Sequence, residues 1–309
     1  MRQGGIESGA LRPQRRLRIL GKAGLPPFGG IGSFAPDRPR RGRSRPACGI
    51  ASAFRDACGA GRIPWDGGMR MEIKGIDVSF AQGEIDWGAV KESGEAGFAI
   101  IRSSYGWNDD ASKQIDRCFY KNVEGCERYG IPYGIYHYSY SMRLSGAERE
   151  AEYMLNAIKG LKPEYPIWFD IEDSAQISLG RELLTQIVET FCGRMSREGY
   201  YVGIYSYKEF LRNYLDMSRL PYDVWLAQWA SSPTYQGDYA MWQYSCTGRI
   251  AGINGNVDLD ISYKDYPAII KEGGFNGWRP QSDARSLLEK AIVLQSEALD
   301  TLKSLRELI

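Results

Sequence analysis

From Glu72 onward, short apolar runs rich in β-branched and aromatic residues alternate with stretches of helical spacing. The runs predict strands at 73–79, 97–103, 131–138, 165–171, 200–206, 223–228, 239–244 and 256–261. Two of the intervening helices are sharply patterned. Over 178–198, Leu183, Ile187, Val188, Phe191, Cys192 and Met195 form one stripe, with Ser178 placed to cap the start and Gly199 to stop the end. Over 146–161, Ala147, Ala151, Met154, Leu155, Ile158 and Leu161 share a face. Strand followed by helix, four or five times over, predicts parallel strands joined by right-handed crossovers. Beyond Trp225 the connections shorten, so the expected α/β barrel is poorly covered by helices over its final third.

The flanks carry a different texture. Residues 1–70 hold 14 of the 36 glycines and 7 of the 14 prolines, with no sustained period of 3.6 or 2, and are expected to be a disordered basic extension. The barrel is expected over 71–272, a Gly-rich linker over 273–281 and an amphipathic helix over 282–309. On that helix Leu287, Ala291, Leu294, Ala298, Thr301, Leu305 and Leu308 alternate by four and three, a short heptad seam. It fits either a homo-oligomer joined through 282–309 or a helix packed on its own barrel.

Charge and cysteine content narrow the chemistry. The net charge of +1 conceals a split: residues 1–70 carry 14 Lys or Arg against 4 Asp or Glu, and residues 71–309 carry 25 against 34. An acidic body disfavours nucleic acid as the main partner, because phosphate neutralisation needs clustered cations. No apolar run approaches the roughly 18 residues that stable membrane insertion needs. With one histidine, six cysteines and no C-x-x-C pair, a zinc site of the usual Cys/His kind is not expected, and the cysteines read as reduced thiols of the core. The Leu17–Leu25 stretch is broken by Arg18 and Lys22, so no export signal is read there.

The most informative segment is Tyr165-Pro166-Ile167-Trp168-Phe169-Asp170-Ile171-Glu172-Asp173. Residues two apart on a strand share a face, with Cα atoms about 6.5–7 Å apart, so Asp170 and Glu172 point together. Acids at the carboxyl end of a barrel strand read as catalytic. Asp77 on the first strand and Asp258 on the last should join them, since first and last strands of a closed barrel are neighbours. Several carboxyls in one rim cannot all ionise cheaply, and one that keeps its proton can protonate a glycosidic oxygen. Tyr105, Tyr136, Tyr138, Tyr205, Trp229 and Trp242, with Gln243, are the candidate sugar-binding groups, aromatic bodies with polar tips suiting a half-wet cleft. His137 faces away from Tyr136 and Tyr138. Without a G-x-S-x-G elbow, it reads as a barrel histidine rather than half of a nucleophile pair.

Six ordered motifs carry a resemblance: Gly75-Ile76-Asp77-Val78-Ser79 with Gln82, Tyr133-Gly134-Ile135-Tyr136-His137-Tyr138, Phe169-Asp170-Ile171-Glu172, Gly203-Ile204-Tyr205-Ser206, Trp242-Gln243-Tyr244 and Gly255-Asn256-Val257-Asp258. In order, they resemble those of glycoside hydrolase family 25 lysozymes over about residues 73–265. The resemblance implies a modified TIM-like barrel of five βα units followed by three strands, and N-acetylmuramidase activity on bacterial peptidoglycan without metal or organic cofactor. It implies Glu172 as general acid/base, Asp170 as its assistant, and Asp77 and Asp258 completing an acidic cleft. Two alternatives stay open at this point: a non-catalytic cell-wall-binding barrel, and a chitinase-like glycosidase, since D-x-E acid sites serve there too. The missing export signal favours a phage endolysin, released from the cytoplasm onto the wall, over a secreted autolysin. Since Asp170 and Glu172 approach the scissile bond from one side, the substrate's own 2-acetamido oxygen is the expected nucleophile, with retention of the anomeric configuration.

Overall fold

A computed structural model describes residues 71–110 and 112–306; the expectation of disorder for 1–70 lies outside these residues. Eight strands close a barrel in sequence order: β1 (Ile73–Val78), β2 (Ala99–Tyr105), β3 (Tyr133–Tyr138), β4 (Ile167–Asp170), β5 (Val202–Tyr207), β6 (Asp223–Ala227), β7 (Met241–Gly248) and β8 (Val257–Ser262). Helices follow the first five strands: α1 (Trp87–Ser93), α2 (Phe119–Tyr129), α3 (Leu144–Ala157), α4 (Gly180–Arg197) and α5 (Lys208–Tyr214). β6, β7 and β8 then complete the barrel, the five-plus-three pattern read from the spacing. A sixth helix, α6 (Tyr266–Gly273), and the long α7 (Gln281–Arg306) come after it. No helix among the described residues is long and apolar enough to cross a membrane.

Strands β1 to β7 run parallel to their neighbours, but β8 is antiparallel to both β7 and β1. The strand–helix repeats predicted parallel pairing for the first strands and said nothing of the direction of the last. Only eight residues, 249–256, separate β7 from β8, too few for a crossover helix, so the chain turns back on itself. The reversal matters for the site: Asp258 sits at the beginning of its strand, and only an antiparallel β8 brings it to the carboxyl end of β1, where it pairs with Asp77. Gln82 clips the same corner. Its Oε1 accepts from Ser79 N at 2.9 Å, and its Nε2 donates to Asn256 O at 3.3 Å.

Alternation along the strands builds two apolar layers. On β4, Ile167 and Phe169 face the helices, where Phe169 stacks on Phe191 of α4, while Trp168 faces the barrel interior with Trp225 and Tyr266. The interior accommodates such bulk because glycine stands opposite it: a Cβ on Gly203 would overlap the Trp168 ring, and one on Gly75 would fall 2.5 Å from Phe98. The helix expected to be capped by Ser178 begins at Gly180 instead. A 3-10 turn, Gln176–Leu179, precedes it, and Ser178 Oγ donates back to Ala175 O. The four described cysteines are free thiols: Cys126 and Cys192 are buried in the core, and Cys118 and Cys246 are half-buried. Cys48 and Cys58 lie outside the described residues.

The segment expected as a linker is held to the barrel. Asn276 is wholly buried with φ of 54°, accepts from Tyr201 N at 2.9 Å, and donates to Pro163 O and Tyr165 O. Along α7, Leu287, Leu288, Ile292, Leu294 and Leu299 are exposed. The heptad positions from Thr301 onward lie where side chains are not described.

Candidate active site

The carboxyl ends of the parallel strands open onto a cleft of about 270 Å³. All four predicted acids line it: Asp170 and Glu172 from the end of β4, and Asp77 and Asp258 from the β1–β8 corner across the mouth. Asp170 is the last residue of β4, held in register beside Tyr138 of β3 and Tyr205 of β5. The chain beyond it stays tied to β5, with Ile171 N donating to Tyr205 O at 3.1 Å and Ser206 Oγ to Ile171 O at 2.5 Å. That support carries Glu172 to the cleft on the same face as Asp170.

Electrostatics separate the acids by depth. Burial pushes the Glu172 carboxyl up to about 7, helped by the charges of Asp173 and Asp258. Burial likewise raises Asp258 to about 6. Asp170 is deeper; desolvation, then Glu172 and Asp77, drive it well above the usual carboxylate range, and only Arg102 opposes them. Its Oδ1 has no hydrogen-bond partner among the described residues. The arrangement provides a half-buried acid that holds its proton near neutrality, beside a second carboxyl aimed into the same space.

Of the candidate binding residues, Tyr136, Tyr138, Tyr205, Trp229 and Gln243 line the cleft. Gln243 ties them together: its Oε1 accepts from Trp229 Nε1 at 3.0 Å and Tyr205 OH at 3.1 Å, and its Nε2 donates to Asp77 Oδ2 at 2.7 Å. Trp229 projects from the rim, 63% exposed, an apolar plate beside the acids. Trp242 falls elsewhere. It alternates with Gln243 on β7, so it points out of the barrel into the outer layer, where Nε1 donates to Gln228 O at 2.8 Å. Tyr105 stands outside the lining, its ring 5.5 Å from the Arg102 guanidinium. His137 also faces the helices. It is wholly buried, with Nδ1 2.8 Å from Ser104 Oγ, Nε2 3.7 Å from Glu150 and its ring stacked near Phe191. These three form a serine–histidine–acid row away from the cleft and closed to substrate.

The sequence profile of "Glycosyl hydrolases family 25" matches residues 76–253, more than half of the chain. The chain belongs to glycosyl hydrolase family 25. It is 31% identical over 191 residues to an autolytic lysozyme of Clostridium acetobutylicum, a match covering 61% of this chain and 55% of that protein. A modular autolysin of Streptococcus pneumoniae, solved as a crystal structure, shares 28% identity with a TM-score of 0.53, over 63% of this chain and 48% of the other. A family 25 glycosyl hydrolase from Bacillus anthracis matches in fold, with a TM-score of 0.55 at 23% identity, over 66% of this chain and 94% of that one. The chain thus spans about half the length of the Clostridium and Streptococcus relatives.

Three residues of this family 25 cleft escaped the sequence reading. Arg102 and Trp225 line it, and Asp260 lies beneath it, in contact with Asp77. Arg102 is held by Asp116, whose Oδ2 accepts from Nε at 2.8 Å, while its guanidinium lies 4.7 Å from the Phe80 ring centre. A lone cation inside the apolar run Ala99-Ile100-Ile101-Arg102 was a signal, because a charge on a buried strand needs a partner. Asp260 repeats the i, i+2 logic of Asp170 and Glu172: Asp258 and Asp260 share a face of β8.

Proposed function

We propose that this chain hydrolyses the β-1,4 bond between N-acetylmuramic acid and N-acetylglucosamine in bacterial peptidoglycan, with Glu172 as general acid/base and Asp170 as the assisting carboxylate. The observation that carries this reading is the paired environment at the end of β4: a carboxyl whose proton is held to about pH 7, beside a deeper one on the same face. Glu172 protonates the leaving oxygen, the step that a glycosidase acid performs. Asp170 holds the N–H of the substrate's acetamido group, whose oxygen attacks the anomeric carbon and closes a cyclic intermediate. Glu172, now ionised, takes a proton from the water that opens it. The two displacements retain configuration. Trp229 and the Tyr136–Tyr138–Tyr205 group supply apolar faces and hydroxyl tips for the sugar rings. The wall is the site of action, as the names of the autolysin relatives suggest.

Mass spectrometry of fragments from purified peptidoglycan tests the bond. The expected products end in reducing N-acetylmuramic acid; reducing N-acetylglucosamine, or release from chitin at a comparable rate, overturns the assignment. Proton NMR of the first-formed product tests the route. The β-anomer is expected, and the α-anomer refutes neighbouring-group participation.

A further inference from the structure

Asp260 is the innermost carboxyl beneath the cleft, and none of the steps above uses it. Its side chain is fully inaccessible, while Asp77 above it keeps 6% exposure. Trp225 Nε1 donates to Asp260 Oδ1 at 2.8 Å, and Oδ2 receives no N–H or O–H from the described residues. Asp260 instead adjoins Asp77: on β8 it stands opposite Gly75, two residues before Asp77, and on the other side opposite Gln243, whose side chain bonds Asp77, so that the two carboxyls interact.

Two ionised carboxylates in contact inside an apolar barrel would leave bare anionic oxygens facing one another, which a single shared proton removes. Depth decides which partner holds it. Asp77 receives an N–H whose direction cannot reverse: Gln243 Oε1 is already committed to two donors, Trp229 Nε1 and Tyr205 OH, so its Nε2 must face Asp77 Oδ2. Asp260 is the more deeply desolvated of the two. Burial and the neighbouring acids push both carboxyls upward, and Asp260 lacks the cleft-side access to solvent that Asp77 has.

We propose that Asp260 is a positioning residue that keeps the proton of the pair and donates it in a hydrogen bond to Asp77, holding Asp77 ionised and, through Gln243, fixing the Trp229 plate at the rim. The chain of contacts runs Trp225, Asp260, Asp77, Gln243, Trp229, from the barrel interior to the exposed wall of the cleft. Its kinetic consequence rests on the proposed muramidase reading; its protonation state does not.

The substitutions Asp260→Leu, Asp260→Asn and Asp77→Asn, assayed on purified peptidoglycan, separate the possibilities. Losing a hydrogen bond to a charged group lowers kcat/KM by about 10- to 100-fold in Asp260→Leu. Asp260→Asn, whose amide N–H replaces the acid proton, returns to within about threefold of the parent. Asp77→Asn is not rescued in this way. An Asp260→Asn enzyme as impaired as Asp260→Leu, or tolerance of Asp77→Asn in its place, overturns the proposal. Infrared difference spectra at pH 8, parent against Asp260→Asn, give a readout independent of substrate and of whether Asp260→Leu folds. A protonated-carboxyl stretch that vanishes with the substitution is expected. A spectrum that the substitution leaves unchanged refutes the assignment, even if the parent proves active on peptidoglycan.

Discussion

Glu172 is the side chain on which the proposed chemistry turns, and its amide isostere is the sharpest probe of it. Glu172→Gln keeps the shape but can neither give nor retake a proton, so turnover should fall at least 10²- to 10⁴-fold, on the order of general acid–base help. Wall clearing within tenfold of the parent would sink the role. The same carboxyl sets a pH limit: with its proton held to about 7, kcat/KM of the parent should decline as pH rises past that value, because the free enzyme loses its acid. A profile flat from pH 5 to 9 contradicts this. Asp170 and Glu172 were legible because a period of two is a property of the strand itself. Asp77 and Asp258 were legible because closure makes first and last strands neighbours. Trp242 was misplaced for the opposite reason: in Trp242-Gln243-Tyr244 aromatic and polar positions alternate, and the inward one is Gln243, turned by its bond to Asp77. Composition alone favours the tryptophan, and only the buried acid reveals the inversion.

At the scale of elements, the spacing gave the five βα units but left the direction of the last strand open. Short connections after Trp225 indicated missing helices, not which strand would reverse. The result is a barrel whose interior is filled by large rings where glycines leave room. Gly203 on β5 is one such position: an added methyl would meet the Trp168 ring, whose strand ends in Asp170. Gly203→Ala should therefore destabilise by about 1–3 kcal/mol, the usual range for overpacking, and shift Trp168 against Asp170. Calorimetry should show a melting temperature several degrees lower; one equal to the parent's would mean that the ring has space to retreat. The docked segment around Asn276 illustrates what sequence conceals. Gly-Gly-Phe-Asn-Gly reads as a flexible linker, yet its left-handed positions, Gly274, Asn276 and Gly277, are what let the chain curl so that one buried amide satisfies three backbone groups.

For the whole molecule, the acid cluster makes folding stability depend on pH in a direction opposite to that of most carboxylates. Glu172 is raised from 4.5 to about 7 and Asp258 from 3.8 to about 6, and Asp170 and the coupled pair Asp77–Asp260, which holds one proton between its members, are raised as well. A raised carboxyl binds its proton more tightly in the folded state than in the unfolded one. Its contribution is fully present below the unfolded value, near 4, and is lost as pH climbs through the folded value. The carboxylates held low by partners, Asp110, Glu182 and Asp216, titrate below this window and do not offset the loss. Glu172 alone accounts for up to about 3 kcal/mol, and coupling within the cluster keeps the total below the sum of its members. The melting temperature should therefore fall between pH 5 and pH 8, by on the order of 5–10 °C for a body of this size. Glu172→Gln should recover part of that fall at pH 8, because it removes one charge that the folded cleft disfavours. Scanning calorimetry at the two pH values for parent and variant checks both halves. A parent equally stable at pH 5 and pH 8, or a variant that melts lower than the parent at pH 8, would mean that the cluster does not hold its protons in the folded state.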